Sequence, residues 1–226
     1  MAGIGMYGVF YAKAALENGV VTGYTGGTKN MGKAISAEFE PNNPEDNPLY
    51  ANNGVAENDA SGASGGTITM TLDRMTMDTA ADLYGLEVEE TSVMVSGEPV
   101  TGRGLKYTGT EQSAPVSVAY IRMNQEDGVR SHEVVLYRRA TFSMPAQSAQ
   151  TMGESIEWQT PEVEGTVMGM EGDGTQPWFQ TFVFPTQAAA IAYIESVFGP
   201  MEEKTTAIVG HGAAGYAKVA EGGEGA

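Results

Sequence analysis

Residues 153–167 read GESIEWQTPEVEGTV. Apolar and polar side chains alternate through this stretch, the signature of a strand with one buried face. Up to Thr160 the apolar positions are Ile156 and Trp158; beyond Pro161 they are Val163 and Val167, on the opposite parity. Proline has no N–H for a ladder, so Pro161 marks a bulge or a strand edge. A bulge adds one residue, reverses the facing of the residues after it and bends the strand. A chain carrying this device belongs in curved β-sheet.

The alternation recurs along the chain. TITMTL, residues 67–72, sets Ile68, Met70 and Leu72 on one face, and KAISAEF, residues 33–39, sets Ile35, Ala37 and Phe39 against Ser36 and Glu38. Residues 4–11 are broken by Gly5 and Gly8, which disfavours a helix. Residues 86–95 read as a strand with an acidic face of Glu87 and Glu89, and 116–123 with 131–144 read as a hairpin about the turn NQEDG. Two helices interrupt the strands. Thr76 caps the first, with Met77, Ala80, Ala81 and Tyr84 on one face and Gly85 at its end. Thr186 caps the second, whose apolar positions are Ala190, Ile191, Ile194, Val197 and Phe198 and whose stop is Gly199-Pro200. The expected fold is mainly β: a β-sandwich or partial barrel with one short flanking helix and a C-terminal helix. Residues 1–200 form the domain, and 201–226 a Gly/Ala/Glu-rich extension. Residues 40–66 are polar and read as a long extended loop, which inside a compact domain is either functional or unfolded. Its acids and asparagines lack EF-hand spacing, so no metal is expected there.

Composition removes several function classes. The 226 residues hold 29 acids against 12 bases, a net charge of −17, and such a surface repels nucleic-acid phosphates instead of binding them. Cysteine is absent, which excludes disulfides, thiolate metal sites and cysteine nucleophiles. The apolar opening, MAGIGMYGVFYAKAA, carries its only charge at Lys13, after the apolar run. A secretory leader has that charge in front. With no bilayer-length apolar run either, the reading is a soluble, unprocessed protein with no membrane partner. Metalloprotease, nucleophile-elbow and P-loop motifs do not occur. The two histidines, His132 and His211, are far apart in sequence. Glu154 and Glu157 form a glycosidase-like pair that sequence alone leaves open. Trp158 and Trp178 are either ligand platforms or core residues. Arg138 and Arg139 are neighbours in a strand, so they face opposite ways, and at least one is expected to meet an acid.

The succession KAISAEFEPN, NPLYANNGVAEND, GGTITMTLDRMTMDTAADLYG and VVLYRRATFSMPAQSAQTMGESIEWQTPEVEGTV, with a late helix before FGP, resembles the major tail tube proteins of bacteriophages with long, non-contractile tails. The resemblance covers roughly residues 3–200, and residues after about 201 depart from it. It implies a structural virion protein, not an enzyme, without cofactor or metal. Six copies form a ring, and rings stack into a tube that conducts double-stranded DNA without binding it specifically. Implied partners are the chain itself and the tape measure, tail terminator and tail tip proteins, with assembly in the host cytoplasm and residence in the virion tail. Within this reading, Leu49, Tyr50 and Val55 of the long loop contact a neighbouring subunit. Glu38, Glu157, Glu162 and Glu164, opposite apolar residues on their strands, line the lumen. A secretion-tube subunit and, behind it, a carboxylate-dependent glycoside hydrolase are the alternatives.

Overall fold

The computed structural model describes residues 2–43, 47–51, 54–59, 62–146, 160–169 and 177–201. Strands come first: β1 (Ala2–Glu17), β2 (Val20–Gly32), β3 (Ala34–Pro41), β4 (Asn47–Ala51), β5 (Gly54–Asp59) and β6 (Gly65–Leu72). Helix α1 (Met77–Tyr84) precedes β7 (Glu87–Val95), β8 (Glu98–Lys106), β9 (Val116–Glu126), β10 (Val129–Phe142), β11 (Glu162–Met168) and β12 (Phe179–Phe184). Helix α2 (Gln187–Phe198) comes last. The fold is mainly β and its ladders are antiparallel, with the two helices where the sequence sets them.

One sheet runs in the order β2-β1-β9-β10-β11-β6-β3, with β12 also on β10. β10 is where it divides. His132 to Tyr137 pair with β12, and Ala140 to Phe142 pair with β11. Between these segments the register with β9 slips, and the buried Ser117 hydroxyl donates to the Arg138 carbonyl. A bulge at this point bends the sheet, so β11, β6 and β3 fold over β1, β9 and β10. Val9, Tyr11, Val118, Tyr137, Ile68, Met70 and Val163 share the core between the two layers.

The helices seal what the sheet leaves open. Ala80, Leu83 and Tyr84 of α1 join that core. Thr76 accepts the Thr79 N–H at 3.1 Å, and Gly85 ends the helix in the left-handed region at φ 68°. Asp82 binds α1 to the sheet: its carboxylate receives Lys13 Nζ at 2.5 Å, Lys29 Nζ at 2.9 Å and the Tyr11 hydroxyl at 3.0 Å. On the far side of the first layer, Phe10, Ala119, Ile121, Val134 and Leu136 pack against Ala190, Ile194 and Phe198 of α2. The central part of β9 is therefore buried on both faces. α2 ends against β2, where Thr28 N–H donates to the Pro200 carbonyl at 3.1 Å and Thr28 Oγ1 to the Gly199 carbonyl at 2.6 Å. Gly27, at φ 66°, leaves room for the Pro200 carbonyl, which any Cβ would strike.

Several expectations need correction. Ile35 is 56 % exposed, because the β3–β6 register slips between Ala34 and Ser36 and leaves Ile35 as the extra residue. Met77 faces solvent, and Leu83 takes its place in the core. The long loop contains the hairpin β4–β5. Strands β2, β8 and β12 have no counterpart in the sequence reading. Pro161 precedes β11, and its carbonyl accepts the Leu72 N–H at 3.0 Å; Val163 and Val167 are buried as expected. Residues 153–159, the first half of the expected bulged strand, lie outside the described residues, as do Glu154, Glu157, Trp158, His211 and 202–226.

Candidate assembly surface

The second layer has one face on the core and one on solvent. β6 sends Ile68, Met70 and Leu72 inward, so Thr67, Thr69 and Thr71 look outward. Thr69 is flanked by Glu38 of β3 and Glu164 of β11; Thr71 by Ser36 and Glu162; Thr67 by Glu40 and Thr166. Cross-strand neighbours share a face, with strands spaced about 4.8 Å apart. Three of the four expected lumen glutamates, Glu38, Glu162 and Glu164, thus lie on one exposed surface with no basic residue in its rows. The fourth, Glu157, is outside the described residues. Glu40 shares the parity of Glu38 and completes the row that sequence reasoning left short.

β3 bounds this surface and is an edge strand. The Asn42 N–H donates to the Gly65 carbonyl at 3.0 Å, which fixes the phase of the ladder. Ser36, Glu38 and Glu40 direct their backbone groups to β6; Ala37 and Phe39 direct theirs outward. Nothing among the described residues pairs with that outward edge. Pro41 falls in the outward phase, where a missing N–H breaks no ladder bond. Such an edge is a template for another strand. The β4–β5 hairpin comes directly after it in the chain, with Tyr50 opposite Val55 and Leu49 opposite Glu57 in the backbone register.

Candidate chemistry is sparse. Among the described residues no group of His, Asp and Glu is arranged to hold a metal ion. A cavity of about 310 Å³ at the end of the second layer is lined by neutral residues, including Thr67, Thr166 and Met168. Trp178 packs on Phe39 and Phe179, with ring centroids 5.8 and 5.7 Å away, which makes it part of an aromatic cluster and not a platform. Arg138 is held by neutral oxygens, Gln180 Oε1 at 2.7 Å and the Tyr24 hydroxyl at 3.3 Å, so the acid expected for this pair is not its partner. Arg139 donates to the Gly19 carbonyl at 3.2 Å. His132 lies on β10 opposite Phe184 and Met123.

Two of the perturbed carboxylates tie elements together, and the third fixes a loop. Burial pushes the Asp82 carboxyl upward, but hydrogen bonds from Lys13, Lys29 and Tyr11 outweigh it and hold it below its ordinary value. Glu133 is treated alike by burial and by Arg122 and Asn124, at 2.7 and 2.8 Å. The Thr108 hydroxyl, then the backbone N–H groups of Thr108 and Gly109, draw Glu111 down to about 2. None of the three lies on the glutamate–threonine face.

No protein-family model matches this sequence, and no curated protein matches it.

Proposed function

We propose that this chain is a structural subunit that polymerises with copies of itself into a hollow tube, the tail tube of a long non-contractile phage tail, whose negative bore lets DNA pass unbound. One observation carries the reading: the open edge of β3 borders a face bearing Glu38, Glu40, Glu162 and Glu164 and no basic residue in its rows. A strand from a second copy, added at that edge, satisfies the outward backbone of Ala37 and Phe39. It also continues the acidic face from one subunit to the next. A head-to-tail contact of this kind closes into a ring when its rotation divides a full turn. The family resemblance supports six copies, stacked rings and the tape measure, terminator and tip as neighbours.

Ala37→Pro tests this reading. Its lost N–H points away from β6, so the monomer retains every β3–β6 bond. Electron microscopy is expected to show tubes of uniform width for the parent protein and none for the variant, with both monomers melting alike. In the parent, the Ala37 and Phe39 amides should exchange rapidly before assembly and slowly after it. A parent that stays monodisperse, or assembled protein in which those amides remain fast, overturns the proposal.

A further inference from the structure

β7 and β8 form a two-stranded sheet of their own, joined to no other strand among the described residues. Their register runs from Glu87 opposite Lys106 to Val95 opposite Glu98, closed by Ser96 and Gly97, both at positive φ (54° and 89°). The root rests on α1, where Arg103 meets Asp78 at 3.2 Å; Arg103 also meets Glu90, its ladder partner on β7, at 3.4 Å. Among the described residues, no side-chain hydrogen bond or ion pair supports the tip in this way. Val93 and Val100 are paired on one face and Met94 and Pro99 on the other, and Met94 is 69 % exposed. An unsupported two-stranded ribbon is marginal in water, and its concentration of apolar side chains at the far end marks a contact surface.

We infer that this arm is a second self-contact: its tip seats on another copy of the same chain, at a site separate from the β3 edge. The inference rests on the assembly reading above and adds to it. A cylinder needs two different contacts, one closing the ring and one joining rings, and the β3 edge supplies only the first. Charge favours a like copy. From Thr91 to Gly102 the only charged residue is Glu98, in a chain of net charge −17, so the tip approaches another copy with little repulsion while Glu87, Glu89 and Glu90 stay at the root. Size points the same way. The exposed large apolar side chains of the tip are Val93, Met94, Val95 and Val100, far short of the roughly 20–30 residues a side of a standard stable interface. One arm alone does not hold a free partner. Several arms acting together between copies already joined in a ring do, because every contact after the first is intramolecular.

The cysteine-free chain permits a direct test with Met94→Cys and a maleimide probe. Reactivity of the new thiol is expected to fall at least about tenfold from unassembled protein to tubes, and Val93→Ser with Met94→Ser to raise the concentration needed for assembly by about tenfold. The melting temperature should not move, since these side chains touch no core. In the parent protein the amides of 91–102 should gain exchange protection only on assembly. Tubes in which the thiol stays fully reactive and the 91–102 amides stay unprotected overturn the arm contact and leave the tube reading standing. A parent that forms no tubes overturns both.

Discussion

Asp82 shows how much one side chain does in a chain this acidic. It draws Lys13 from β1 and Lys29 from β2 onto α1, two of the 12 basic residues spent on one carboxylate. Its folded value lies below the ordinary 3.8, so the sign of the linkage is fixed. The stabilisation is complete above the unfolded value and drains away as pH falls through the folded one. Asp82→Asn is expected to cost about 2 kcal/mol at neutral pH, a moderate figure because Lys13 is partly exposed. Urea denaturation should show the gap between parent and variant closing as pH falls below the ordinary value of 3.8. Sequence reading does not find this cluster, because Tyr11, Lys13, Lys29 and Asp82 meet only once α1 crosses two strands. The row of glutamates was legible for the opposite reason: parity along a half-buried strand is a local property, and Glu38, Glu162 and Glu164 needed nothing more.

Among the elements, the β1–β2, β7–β8 and β9–β10 hairpins share one closure. Asn18-Gly19, Ser96-Gly97 and Asp127-Gly128 all place both residues at positive φ, the turn whose twist matches that of the flanking strands. Asn18→Ala is expected to lose about 1 kcal/mol in chemical denaturation, since alanine resists that conformation, while Asn18→Gly stays near neutral. The turn at Asp127-Gly128 was legible because clear alternation flanks it. Asn18-Gly19 carries the same signal, yet β2 hid behind it. β2 is broken by glycines, and its pairing with β1 slips three times, so no steady period survives. β12 fails differently. Phe179 stacks against Tyr137, whereas Phe182 and Phe184 face Tyr193 of α2; apolar residues on both parities erase the alternation. β5 and β8 are poor in large apolar residues, and in β4 Leu49 and Tyr50 are adjacent, so there was no apolar alternation to mark. α1 and α2 were found because caps are local chemistry, but Met77 was misassigned because sheet packing sets a helix's rotation.

Taken as a whole, the molecule is two layers about a shared core, with α2 on one outer side and the glutamate–threonine face on the other. On the tube reading proposed above, electrostatics acts on assembly and on transport separately. Copies at −17 repel one another, so the concentration needed to form tubes should fall as salt rises toward about 0.5 M, read by sedimentation, because screening removes repulsion faster than it weakens apolar contact. The triple variant Glu38→Lys, Glu162→Lys and Glu164→Lys should still form tubes and retain DNA, with retention falling steeply as salt is added; tubes that ignore DNA would show that this face does not line the bore. The docking of α2 also governs attachment. Met201 leaves the described fold beside Thr28, packed with the α2 layer, with the whole core between it and the carboxylate surface. If the carboxylate surface lines the bore of the tube proposed above, a passenger grafted after Met201 rides on the outer skin of the filament, clear of the duct.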